Sequence, residues 1–297
     1  MLWFVPLLPL LATPVIYGFG KRRLGDDKGR VALALAGAAV AAATLLLVSV
    51  AVTADWGGTY RWSSRIVLSI GMTPASAVFA IVVPLIAAPI IVYSAYHEVS
   101  PVGDGAAARP PVGLVALLTA FVGAMELLVL AEDFVTLLIA WELVGACSWA
   151  LIAHEWQKTG NLRDAAWAFL VTRFGDLGLY IAAAAVFAGT GSFAFDELAR
   201  LDGWRLDVFV AGVVLAAAAK SAQVPFSPWL FAAMSGPTPV SALLHAATMV
   251  AAGIYLVIRL HAELSAVAWF GPVAIALGLA TALSGGIVAC LQGHAKK

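Results

Sequence analysis

Nine stretches of this chain are apolar for about as long as a helix needs to cross a lipid bilayer. No other feature limits its fold more. A spanning helix takes roughly 20 mostly apolar residues. Runs of that kind cover approximately 2–20, 31–53, 74–96, 111–131, 133–153, 164–190, 206–234, 237–260 and 268–291. Their apolarity is continuous, whereas a membrane β-barrel would alternate apolar and polar positions. The sequence therefore predicts an all-α fold, a polytopic transmembrane bundle of about nine helices.

Composition agrees. Hydrophobic residues make up 62% of the chain and charged residues 11%, with a mean hydropathy of +0.96. A soluble domain carries about 25% charged residues to keep its surface wet, so lipid has to be the solvent here. A formal net charge of zero argues against nucleic acid as a partner. Cys147 and Cys290 lie in apolar runs without metal-ligand spacing and read as buried thiols. The basic cluster Lys21, Arg22 and Arg23 follows the first apolar run. A cleaved leader has the reverse order, so this run reads as a retained first helix.

Loop charge sets an expected orientation. Lys21, Arg22, Arg23, Lys28 and Arg30, then Lys158 and Arg163, then Lys296 and Lys297 fall on one side if every run crosses once. The positive-inside rule makes that side cytoplasmic, with the N-terminus outside, in a bacterial inner membrane. Residues 53–73 then form an external segment with Trp56, Tyr60 and Trp62 at the interface, and 97–110 a flexible inside loop. The segment 191–205 reads as an outside amphipathic turn.

Against this apolar background a few polar residues stand out. Lys220-Ser221-Ala222-Gln223-Val224-Pro225-Phe226-Ser227-Pro228 interrupts the seventh run. Pro225 and Pro228 each lack a backbone donor, so a broken helix is expected, with half-helices on either side of Val224–Pro225. Broken helices at mid-depth are a feature of transport proteins; the plainer reading is a proline kink. Glu142 lies mid-span in the fifth run, Arg173 and Asp176 in the sixth, Lys220 in the seventh, His245 in the eighth and Glu126 in the fourth. Glu132 and Asp133 fall between two spans and read as solvated. An ionised group at the bilayer centre costs about 2.5–3.5 kcal/mol on insertion scales, so such groups pair or conduct. Arg173 and Asp176, three apart, share a helix face and can neutralise each other. Glu142 with Lys220 can form a static bridge or a proton-exchanging pair. Burial disfavours the charged form of any group, and a histidine suits a relay near neutral pH. A carboxylate, a lysine and a histidine at one depth suit a proton half-channel. No phosphate loop, metal or haem ligand set, or nucleophile–base array is evident, so no cofactor and no bond chemistry are expected in this chain.

WELVGACSWALI around Glu142, TRFGDLG around Asp176, the stretch KSAQVPFSPWLFAAMSGPTPVSALLHAATMVAAGIYL and the ending LQGHAKK resemble the antiporter-like membrane subunits of respiratory complex I. The L subunit (chain 5) is the most similar. The resemblance covers about 111–297 and is most specific over 220–256. It implies a proton-translocating subunit of an NADH-quinone oxidoreductase, with Glu142, Lys220, His245, Asp176 and Arg173 as proton-translocation residues. Other membrane subunits would be its partners, and NADH, FMN, iron–sulfur clusters and quinone would lie in partner subunits. The family fold, about fourteen helices in two inverted five-helix repeats, implies three parts here. These are N-terminal helices over 1–110, a first repeat over 111–260 and the start of a truncated second repeat over 261–297. Thr172, Ala232, His294 and Glu126 depart from the family pattern. The large subunit of a multi-subunit Na+/H+ antiporter shares the same core and is the alternative. A non-conducting membrane scaffold is a third reading.

Overall fold

The structure is a computed structural model that describes residues 1–23, 27–54, 56–63, 66–97 and 112–293. The expected inside loop at 97–110 lies almost wholly outside the described residues, as does the Lys296–Lys297 end. The long helices are α1 (Phe4–Arg23), α2 (Asp27–Ala54), α3 (Pro74–His97), α4 (Val112–Leu130), α5 (Phe134–Ile152), α6 (Asn161–Thr190) and α7 (Gly203–Lys220). After them come a short α8 (Pro228–Ala233), then α9 (Thr238–Arg259) and α10 (Phe270–Leu291). Among the described residues, seven of these helices are long and apolar enough to cross a membrane, and Phe4–Gly20 adds a shorter apolar helix. The chain is an integral membrane helix bundle.

Packing between these helices runs through small residues, as it must where lipid gives apolar side chains no reason to leave it. A Cβ placed on Gly212 of α7 would strike the Gly178 carbonyl of α6, and one on Gly175 would strike Ala219. These glycines let α6 and α7 approach backbone to backbone. Polar groups cluster at the end of the bundle where α4 gives way to α5. Asp133 caps α5, with Oδ1 accepting from the Thr136 amide at 2.8 Å. Its Oδ2 accepts from the Ser69 amide at 2.6 Å and the Ser69 hydroxyl at 2.9 Å.

That second set of bonds holds an element the sequence reading treated only as an external segment. Residues Gly58–Arg61 (β1) and Val67–Ile70 (β2) form an antiparallel hairpin, with Gly58 opposite Ile70. It is tied to the bundle by Gly71 N–H to the Leu130 carbonyl (2.9 Å) and Glu132 N–H to the Ser69 carbonyl (3.0 Å). The hairpin leaves Tyr60 and Trp62 largely exposed while Trp56 packs on the core. Residues 195–200 form a 3-10 turn nearby.

Two expectations need correction here, and the expected broken helix is present with unequal halves. Asp133 is buried and Glu132 is paired with Arg259 at 2.7 Å, so neither is simply solvated; the hairpin covers them. Cys290 is exposed, because α10 presents nearly all of its surface outward; Cys147 is half-buried. The broken helix has one long half and one short one: α7 stops at Lys220, residues 221–227 form turns, and α8 runs for six residues.

Candidate functional site

Lys220 is the last residue of α7 and is wholly buried. A cation at a helix C-terminus meets the negative end of the helix dipole, which favours a lysine at this break. The turn after it is fixed by bonds to other helices. The Ser221 hydroxyl donates to the Val250 carbonyl (2.8 Å), the Val224 amide to Thr281 Oγ1 (3.0 Å), and the Trp229 indole N–H to the Ala219 carbonyl (2.8 Å). The proline-interrupted segment thus finds partners within the protein, as a break at membrane depth requires. Ala222 adopts a positive φ of 52°, a strained conformation for a residue with a Cβ. The Val224–Pro225 peptide is cis.

Three groups surround the Lys220 ammonium. Asp176 Oδ1 lies 3.6 Å from Nζ, the Trp141 carbonyl accepts from Nζ at 3.4 Å, and the Trp141 ring centroid is 5.0 Å away. The Trp141 indole N–H donates to the same Asp176 Oδ1 at 2.5 Å. One tryptophan therefore touches both members of the ion pair.

Glu142 is not Lys220's partner. It pairs with the Arg173 guanidinium and accepts from the Tyr180 hydroxyl at 3.0 Å. The reason is rotation: successive helix residues point about 100° apart. On α5 it is Trp141 that faces Lys220, and Glu142 turns toward α6. Arg173 reaches both carboxylates, with Nε 3.7 Å from Asp176 Oδ2, and its guanidinium stacks over Phe169. A Cβ on Gly145 would lie 3.3 Å from Arg173 Nη2 and 3.5 Å from Lys220 Nζ. The two cations converge over the bare α-carbon of this glycine.

The result is a chain of alternating charge, Glu142–Arg173–Asp176–Lys220, neutral in sum. It is graded in burial. Glu142 and Arg173 side chains keep 22% and 29% exposure, while Asp176 and Lys220 keep 1% and 0%. Coulombic coupling strengthens as water is excluded, so a change at the accessible end is felt at the sealed end. His245 lies beyond. It is buried, sits in a π-helical turn over Ser241–Thr248, and meets the edge of the Trp229 ring at 5.8 Å between centroids. The tryptophan whose indole holds Ala219 thus also touches the histidine. Sequence reasoning missed Trp141, Tyr180, Gly145 and Trp229. All four stand inside or beside the motifs quoted above, but aromatic residues and glycines are common in membrane helices and carry no signal there alone.

Residues 131–297 match the family model described as NADH:quinone oxidoreductase/Mrp antiporter, TM. The chain belongs to the NADH:quinone oxidoreductase/Mrp antiporter transmembrane family. Among relatives, it is 33% identical to NAD(P)H-quinone oxidoreductase chain 5 of Picosynechococcus sp., over 99% of this chain and 46% of that protein. It is 43% identical to NADH-quinone oxidoreductase subunit L of Buchnera aphidicola, over 48% of this chain and 24% of that protein. Among solved structures, a chain of the Mrp complex from Dietzia sp. DQ12-45-1b superposes with a TM-score of 0.81 at 31% identity, covering 97% of this chain and 32% of that one. The chain spans about half the length of the chain 5 relative it matches end to end. The candidate site in this chain is the charge chain of α5, α6 and α7.

Proposed function

We propose that this chain is a proton-translocating membrane subunit of an NADH-quinone oxidoreductase of the complex I kind, and that Lys220 carries the proton. The observation that supports it is the sealed ammonium of Lys220, held by a carboxylate that has other suitors. Asp176 is shared among Lys220, the Trp141 indole and Arg173. While Glu142 holds Arg173, Asp176 serves Lys220 and keeps it charged. When that hold loosens, Arg173 is free to move onto Asp176. Lys220 then loses its counter-charge, faces a second cation across Gly145, and gives up its proton past Trp229 toward His245. Partner membrane subunits would drive the loosening, and NADH, FMN, iron–sulfur clusters and quinone would reside in other subunits. Residues 1–110, 111–260 and 261–297 would serve as N-terminal helices, the first antiporter-like repeat and the beginning of a second.

The excess of basic residues supports an N-terminus outside, in a bacterial inner membrane by our reading: Lys21, Arg22, Arg23, Lys28, Arg30, Lys158 and Arg163 belong to the bundle end opposite the hairpin, against Arg61, Arg200, Arg205 and Arg259 at the hairpin end. In the assembled complex, Lys220→Ala is expected to abolish proton pumping while quinone reduction continues. Pumping at the wild-type rate in that variant would overturn the proposal.

The likeness to the Mrp complex supports a second reading, the large subunit of a multi-subunit Na+/H+ antiporter. The same charge chain would then exchange protons against sodium. Sodium-driven proton movement in membrane vesicles without NADH or quinone would favour this reading over the first.

A further inference from the structure

Glu126 plays no part in the charge chain, yet it is the more isolated carboxyl. It is fully buried in α4, and neither of its oxygens has a hydrogen-bond partner. Leaving a carboxylate in that state is prohibitive; such a group takes up a proton instead.

The surroundings can be placed by helix register. A Cβ on Gly37 of α2 would meet both Ile91 of α3 and Thr119 of α4, the Thr119 hydroxyl at 3.8 Å. These three helices therefore converge at that level. Seven residues along a helix return to nearly the same face, about 20° round, and about 10 Å along the axis. Toward the hairpin end, seven residues lead to Thr44 on α2, Pro84 on the oppositely directed α3, and Glu126 on α4. The buried Thr44 hydroxyl donates its proton to the Val40 carbonyl at 2.8 Å. Pro84 has no N–H, so the buried Ala80 carbonyl lacks its helical donor. On the α1 side, Gly123 packs against the Pro6 carbonyl and Leu10. The groups named at this level are acceptors. A carboxylate only accepts, whereas a carboxylic acid donates.

We propose that Glu126 is a second proton-binding site, occupied by a proton at neutral pH and independent of the Lys220 charge chain. Toward the hairpin end, just past the last residue of α4, Glu132, Asp133 and Asp196 line a cavity of about 510 Å³. Tyr255, whose hydroxyl donates to the Val129 carbonyl, and Arg259, which pairs with Glu132, also lie on that side. Neither is bonded to Glu126.

Infrared spectroscopy of the full chain in lipid nanodiscs at neutral pH tests this. The wild type should show a carboxylic-acid C=O stretching band that Glu126→Gln removes. Glu126→Asp keeps an acid in place and should move the band rather than remove it, so the test survives if the glutamine variant fails to assemble. Spectra unchanged in this region by both substitutions would overturn the proposal. Because the readout involves no transport, its result is separate from that of the Lys220 experiment.

Discussion

The Trp141 indole N–H and the Lys220 ammonium share one oxygen of Asp176, the first at 2.5 Å and the second at 3.6 Å. The tryptophan holds the carboxylate in place and also limits how tightly the lysine can bind it. Trp141→Phe keeps the ring under Lys220 but removes the donor. A hydrogen bond to a charged group is worth about 1.5–3 kcal/mol, and the variant should be destabilised by about that much in detergent unfolding. Its proton transport should fall without vanishing, because Lys220 and Asp176 remain. Wild-type stability together with wild-type transport would show that the indole bond does nothing.

Gly145 makes room for two cations. Gly145→Ala would place a methyl group 3.3 Å from Arg173 and 3.5 Å from Lys220. Crowding a packed site costs about 1–3 kcal/mol, and it should separate Arg173 from Lys220 and slow transport. Gly278→Ala is the control, since nothing lies within 4 Å of a Cβ there. It should be neutral or stabilising by up to about 1 kcal/mol through helix propensity. Thermal unfolding of both variants in the same detergent separates the two outcomes.

These residues show what was legible in the sequence and what was not. Apolar runs reported the helices because length and hydropathy suffice to place a span in lipid. The prolines reported the break at Lys220 because a missing N–H is a covalent fact. Pairing between helices was less readable. Glu142 looked like Lys220's partner by depth, but one residue of rotation gave that place to Trp141, and Asp176 became the counter-ion. The hairpin carried a strand signal in Thr59, Tyr60, Val67 and Ile70, which was masked by its aromatic residues suiting a membrane interface equally well. The π-helical turn around His245 has no local signature, since it follows from how α9 packs.

Glu132 makes the stability of the hairpin end fall as pH rises. Burial raises its pKa above the usual carboxylate value, the Arg259 cation works against that, and Asp196 and Asp133 add to it. The folded state therefore holds this proton more tightly than the unfolded state. The associated stability is fully present below the unfolded value of about 4.3 and is lost as pH rises through the folded one. Melting temperature should fall over that window in the wild type and fall less in Glu132→Gln. Identical pH profiles for the two would remove Glu132 from this role.

The central claim is that Lys220 exchanges its proton rather than merely bearing charge. Lys220→Arg distinguishes the two, because arginine keeps a positive charge but does not deprotonate in proteins. The measurement is proton pumping by the assembled complex in sealed vesicles, alongside its quinone-reduction rate. The account predicts that Lys220→Arg assembles and reduces quinone but pumps almost no protons. Pumping at the wild-type stoichiometry in Lys220→Arg would contradict it and leave Lys220 a static member of the helix packing.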